Sequence, residues 1–218
     1  NKLYKNIEKI KPSFFEVTTA MAFKYFADNE VDFAVIECGL GGRLDSTNIL
    51  KPIVSVITSI SKDHTEYLGN TIKSITLEKA GIVKSGVPCV CGSLSDYAKA
   101  IIKRICDERR SEFIDSSRVN LKSRYAAGEG FELIVSGIKD RLFLPLNSEY
   151  QTDNMKAALV VLCCLMGRGY AMIELSDFKN GLQKIKSNSG YGYRFEKISD
   201  SPQIVLDVSH NAEGLRTL

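Results

Sequence analysis

Histidine is scarce in this chain. His64 and His210 are the only two, and none of the six cysteines belongs to a C-x-x-C pair. A Cys/His zinc site is therefore not expected. Long apolar runs are lacking too: nothing reaches the roughly 18 consecutive residues that a membrane-spanning helix needs. The polar start at Asn1 carries no signal-peptide pattern. A surplus of one charge is also missing. The net charge of +3 is too small to argue for a nucleic acid or a membrane surface, and neither partner is expected. The chain shows no internal repeat and no low-complexity segment. Its glycine-rich stretch at 39–42 is not a G-x-G-x-x-G fingerprint, because Leu44 stands where the third glycine belongs, so the pattern does not specify a dinucleotide. Cys163 and Cys164 lie in an apolar helical run, where thiols act as small hydrophobes. With Cys38, Cys89, Cys91 and Cys106 they predict a reduced, cytoplasmic protein.

What is present fits a soluble globular protein. The 218 residues are 44% hydrophobic and 25% charged, enough for one large or two small domains. The chain is organised around residues 36–48. The apolar run Phe33, Ala34, Val35, Ile36 leads into Glu37 and a glycine turn; Arg43, Asp45, Thr47 and Asn48 follow in quick succession. An apolar strand that ends in a carboxylate and a glycine loop puts ligand-binding groups at the carboxyl edge of a parallel sheet. The glycines let backbone approach a ligand closely. The same residues suit a buried strand with a tight turn, and both readings stand at this point.

Residues 1–10 read as the tail of an amphipathic helix, broken at Pro12. Ser13 and Glu16 form a capping-box pattern for a helix running to about residue 29. Strands are predicted at 31–37, 53–59 and 87–91, and helices at 71–80 and 96–109. Gly81 suits the left-handed position that closes a helix. In 96–109, Ala100, Ile101, Ile105 and Cys106 are expected to face inward. This strand–loop–helix alternation predicts a doubly wound, mostly parallel α/β domain. Runs at 131–135 and 141–146 predict a small antiparallel sheet. Helices follow at 153–166 and 175–185, the second N-capped by Ser176. Residues 187–192 read as an interdomain linker, and 194–196 and 203–207 as strands beyond it. The expected division is a central domain over 1–187, incomplete at its N-terminus, and over 188–218 a linker with the truncated start of a second α/β domain. The chain starts without methionine and stops soon after a strand, so a fragment is expected.

Three polar residues follow strands or sit near helix ends: Glu37, His64 and Lys79. Adjacent parallel strands bring Glu37 and the His64 loop to one sheet edge. A hard divalent ion bridging phosphates accepts a carboxylate oxygen, whereas a histidine nitrogen is a less usual partner for Mg²⁺. The alternatives are a surface acid, a loop or capping histidine, and a solvated lysine. Asp207 and His210 follow a strand and precede a helix, so both can reach a phosphate or ribose, or form a turn with a helix cap. Arg194 offers a fork for phosphate, or simply solubilises the surface. Asn154 sits near a helix start, where capping is the ordinary role.

Five ordered motifs carry a resemblance: Phe14-Phe15-Glu16 with Thr19-Ala20; residues 36–48; Asp63-His64-Thr65-Glu66-Tyr67-Leu68-Gly69; Glu78-Lys79-Ala80-Gly81-Ile82; and Asp207-Val208-Ser209-His210-Asn211. In these, and over nearly its whole length, the chain resembles folylpolyglutamate synthase/dihydrofolate synthase, a branch of the Mur-ligase superfamily. The resemblance implies an ATP-dependent ligase with a Mur-ligase-like central ATP-binding domain. Such enzymes phosphorylate a folate or dihydropteroate carboxylate and let the amine of L-glutamate displace the phosphate, forming an amide and ADP. The chemistry needs metal and cationic groups on the phosphoryl oxygens. By resemblance, Glu37, His64 and a carbamylated Lys79 bind Mg²⁺, with Lys79 and His64 serving the catalytic step. Asn154 contacts adenine, and Arg194, Asp207 and His210 contact the nucleotide. Ser13, Phe15 and Asp45 match positions near the pterin pocket, where an aromatic ring stacks on a flat heterocycle. A monomer is implied. The family's G-x-x-G-K-[ST] phosphate loop is absent from this sequence, and so is most of the family's C-terminal domain; inactivity of these 218 residues alone is therefore expected. The alternatives are a muramyl-peptide amino-acid ligase, against which the Phe14-Phe15-Glu16 motif and the 63–69 loop argue, and a noncatalytic nucleotide- or folate-binding module.

Overall fold

The computed structural model describes residues 7–126, 130–209 and 212–216. The predicted helix at 1–10 falls partly outside them; residues 7–10 are helical. Helix α1 (Phe14–Asp28) starts as the capping box requires. The Ser13 hydroxyl accepts the Glu16 N–H at 3.2 Å, and the Glu16 carboxylate accepts the Ser13 N–H at 2.7 Å.

The strand predicted at 31–37 does not form. Its residues are not assigned to a strand and pair with no ladder among the described residues. Val35 is 99% exposed and Phe33 48%. Apolar character alone does not make a strand; its N–H and C=O groups need a neighbour to receive them.

The parallel sheet is built from β1 (Ser55–Ile57), β2 (Cys89–Cys91) and β3 (Phe113–Asp115), in that spatial order. Ser55 pairs with Cys89, and Cys89 with Phe113. Between β1 and β2 run α2 (Thr65–Leu68) and α3 (Ile72–Lys79); α4 (Asp96–Glu108) connects β2 to β3. The central strand is wholly buried, as a strand covered on both faces must be, and its core neighbours are Ile57, Val83, Ile102 and Ile105. On α4 the buried stripe is Ala98, Ile102, Ile105 and Cys106. Ala100, expected inside, is exposed because it lies off this 3.6-residue periodicity.

A second layer is the antiparallel sheet β4 (Leu121–Ala126), β5 (Gly130–Val135) and β6 (Leu142–Leu144). Helices α5 (Tyr150–Gly167) and α6 (Leu175–Gln183) pack on it through Met155 and Leu182. The N-cap of α6 is Glu174, not Ser176: the Asp177 carboxylate accepts the Glu174 N–H at 3.1 Å. Cys163 is exposed and Cys164 half-buried, contrary to their expected core role. Helix α5 is apolar on more of its circumference than its neighbours cover.

Helix α7 (Ile185–Ser189) occupies part of the predicted linker, and left-handed Gly190 ends it. Strands β7 (Glu196–Asp200) and β8 (Gln203–Leu206) pair as an antiparallel hairpin, followed by α8 (Ala212–Arg216). No helix among the described residues is long and apolar enough to cross a membrane.

Candidate functional site

Residues 39–48 form a hub on which four elements converge. The Phe15 ring of α1 lies directly over Gly39; a Cβ there would come within 2.5 Å of the ring edge. Gly41 meets Leu68, in the helix that His64 opens, and Gly42 sits under the Lys79 carbonyl and Ile82. On the far side, a Cβ on Gly81 would stand 2.4 Å from the Arg43 Cα. Gly81 is thus needed for close approach. Its φ is not in the left-handed region, which corrects the helix-closing role expected for it; Ala80 is the C-cap of α3, and a 3-10 turn over Ala80–Ile82 follows. Polar contacts fix the same seam. The Arg43 N–H donates to the Glu78 carbonyl at 2.8 Å, and its guanidinium grips the Glu78 carboxylate, with Nη2 at 2.9 Å and Nε at 3.1 Å. Asn48 donates to the carbonyls of Arg43 and Gly81 at 3.0 and 3.3 Å.

The expected acceptor-side residues meet here in part. Phe15 keeps 40% of its surface exposed while touching the loop. Ser13 is the N-cap of α1, its hydroxyl engaged in that cap. Asp45 caps the 3-10 turn Ser46–Ile49, taking the Thr47 N–H on one oxygen and the Leu40 N–H on the other, both at 2.9 Å. Partial burial pushes its carboxyl up. Hydrogen bonds from the Thr47 hydroxyl and from the N–H groups of Leu40, Thr47 and Gly39 outweigh this and hold its pKa below the ordinary carboxylate value.

The expected metal residues flank the same loop. Glu37 lies two residues before it and is exposed; Lys79, half-buried, ends α3 with its backbone carbonyl over Gly42. His64 has left-handed backbone (φ 48, ψ 40), a conformation that costs a non-glycine residue roughly 1–2 kcal/mol and is often retained at functional sites. Its side chain is half exposed, with Nε2 3.8 Å from an Asp63 oxygen. Among the described residues no three His, Cys, Asp or Glu side chains gather to hold a metal. As encoded, Glu37, His64 and Lys79 offer one carboxylate, one imidazole and one ammonium, which repels a cation. The set suits a hard divalent ion only with Lys79 converted to a carbamate.

A second group lies at the start of α5 and beyond α7. Asn154 donates to the Gln151 side-chain oxygen at 3.0 Å, and Gln151 donates to the Tyr191 hydroxyl at 2.9 Å. The Arg194 guanidinium sits over the Tyr191 ring, 5.9 Å from its centroid, within cation–π range. Asp207 accepts the Phe195 N–H at 2.7 Å and the Ser209 N–H at 2.6 Å. Burial pushes its carboxyl up, but bonds from Ser209 and Phe195, with the Arg194 charge, hold its pKa below the ordinary value. Asn154, Arg194 and Asp207 therefore belong to one connected cluster. His210 lies outside the described residues. Sequence reasoning missed Gln151 and Tyr191; the three-residue spacing from Gln151 to Asn154 on a helix was the available signal.

Known proteins resemble this chain in sequence and in fold. Folylpolyglutamate synthase of Lacticaseibacillus casei is 36% identical over 208 residues, which is 94% of this chain and 48% of that protein. Dihydrofolate synthase/folylpolyglutamate synthase of Bacillus subtilis (strain 168) is 34% identical over 213 residues, 95% of this chain and 49% of that protein. A solved FPGS-AMPPCP-folate complex superposes with a TM-score of 0.87 at 33% identity, covering 99% of this chain and 53% of that one. The chain thus spans about half the length of the relatives it matches. The Mur ligase middle domain family matches residues 5–162, and the chain belongs to that family.

Proposed function

We propose that this chain is the central part of a cytoplasmic, monomeric ATP-dependent ligase that joins L-glutamate to a folate or dihydropteroate carboxylate. The division into a central domain over 1–187 and a second domain from 188 belongs to the same proposal. The observation that carries it is the convergence at the 39–48 loop of Phe15, the helix opened by His64, and Lys79. One loop then touches an acceptor-binding ring on one side and, on the other, the helix that His64 opens and the backbone of Lys79. Further support comes from the solved relative that holds an ATP analogue and folate together.

In this reading the γ-phosphoryl group of ATP passes to the acceptor carboxylate, releasing ADP. The glutamate amine attacks the acyl carbon, phosphate leaves, and the amine gives up a proton. The exposed face of Phe15 receives the pterin ring, with Ser13 at its edge; the lone pairs of Asp45 not used in the loop accept pterin N–H groups. Glu37, His64 and a carbamylated Lys79 would hold Mg²⁺, which would neutralise charge on the phosphoryl oxygens. Asn154 receives adenine, and Arg194, Asp207 and His210 the rest of the nucleotide. Mass spectrometry of the product from the complete ligase tests the reading. Dihydropteroate or tetrahydrofolate is expected to gain one glutamyl residue only when ATP and glutamate are both present; a glutamyl product formed without ATP contradicts it.

A further inference from the structure

Two residues without a role in that scheme hold its nucleotide contacts in place. Gln151, on the first turn of α5, is only 4% exposed, and a buried amide needs partners for both its oxygen and its nitrogen. Its oxygen accepts from Asn154 at 3.0 Å, and its nitrogen donates to the hydroxyl of Tyr191, 40 residues further along the chain, at 2.9 Å. Tyr191 in turn carries the Arg194 guanidinium over its ring. Asn154 itself is exposed. A buried relay thus fixes the side chain of a surface asparagine and ties it to the arginine of another segment.

We infer that Gln151 and Tyr191 are positioning residues that set the amide orientation of Asn154 and thereby the preference for adenine over guanine. The inference rests on Asn154 being the adenine contact. With one N–H committed to Gln151, Asn154 keeps its oxygen and a second N–H for a base. An oxygen beside an N–H complements the adjacent donor and acceptor on the edge of adenine. Guanine carries an acceptor oxygen where adenine carries its amino donor. A freely turning asparagine exchanges its oxygen and nitrogen by a half-turn and serves either base. Here Asn154 can turn over only if Gln151 and the Tyr191 hydroxyl reverse with it, because otherwise its oxygen would face the Gln151 oxygen. The relay makes the orientation a property of three residues on two segments.

The test measures ADP and GDP dissociation constants for the complete ligase and its Tyr191→Phe, Gln151→Met and Asn154→Ala variants. Tyr191→Phe keeps the ring under Arg194 and removes only the hydroxyl. Both relay variants are expected to weaken ADP binding by up to about tenfold, the upper end of the cost of immobilising on binding a side chain that the relay no longer holds. They are also expected to shrink the ADP-over-GDP preference while leaving the folate KM unchanged. The double variant should be little worse than either single one, as residues of one relay are not additive. If Asn154→Ala loses the preference but both relay variants keep it, the relay is overturned. A merely structural role would lower the two affinities equally. If Asn154→Ala itself keeps full ADP affinity and preference, the adenine assignment beneath the inference fails instead.

Discussion

In the proposed reading, Lys79 is the residue whose chemistry the site most needs to change. The residue is half-buried, with its backbone carbonyl against Gly42; in that reading its ammonium has the wrong sign for a metal ligand, and a carbamate would supply anionic oxygen instead. Lys79→Ala in the complete ligase should abolish most turnover, with partial recovery when a short carboxylate is added; unchanged turnover removes Lys79 from the site. Asp45 makes a different prediction. Its folded-state pKa lies below its ordinary value. The stability its charge supplies is therefore present above the unfolded carboxyl pKa, about 3.9, and is lost as pH falls through the folded value. Urea midpoints measured from pH 6 to 3 should fall less steeply for Asp45→Ala than for the natural chain, and parallel slopes would contradict this. At this scale the sequence pattern was informative for residues next to a motif. Phe15 and Asp45 both reach the glycine loop. Gln151 and Tyr191 were not legible as a pair, because a contact across 40 residues leaves no local pattern. The grip of Arg43 on Glu78, across 35 residues, was hidden for the same reason.

Among elements, the seam between the 39–48 loop and the end of α3 fixes the site. Gly81 and Arg43 interlock there with no space for a methyl group. Gly81→Ala should destabilise the fold by about 1–3 kcal/mol, as overpacking of a closed contact does. Equilibrium denaturation of the variant measures this, and a change smaller than the error would mean that the seam yields. The alternation of strands and helices was readable from the β-branched runs and the amphipathic stripes. So was the start of α1, because a capping box is a purely local signal. Residues 31–37 show the limit. Val35 and Phe33 have strand character, yet they pair with no strand among the described residues and stay exposed. Strand formation depends on a neighbour, and composition does not supply one. The start of α6 was misplaced for a smaller reason: Glu174 and Asp177 form a box without the usual hydroxyl, so the nearby Ser176 looked like the better cap.

At the scale of the molecule, the proposed reading has one ligand join two groups of residues. The glycine loop gathers Phe15 and Lys79 on one seam; the Asn154, Gln151, Tyr191 and Arg194 cluster ties the start of α5 to the segment beyond α7. A nucleotide whose base meets the second group and whose phosphates reach the first gives both a purpose. The chain spans about half of its relatives, so the 218 residues alone are expected to show no turnover. The most direct measurement is ADP release by the complete ligase with acceptor and glutamate supplied separately and together. Release is predicted to require both folate or dihydropteroate and L-glutamate, with one ADP formed per glutamyl residue added. ADP release of equal rate without either substrate, or glutamyl transfer with no ADP formed, would contradict the account.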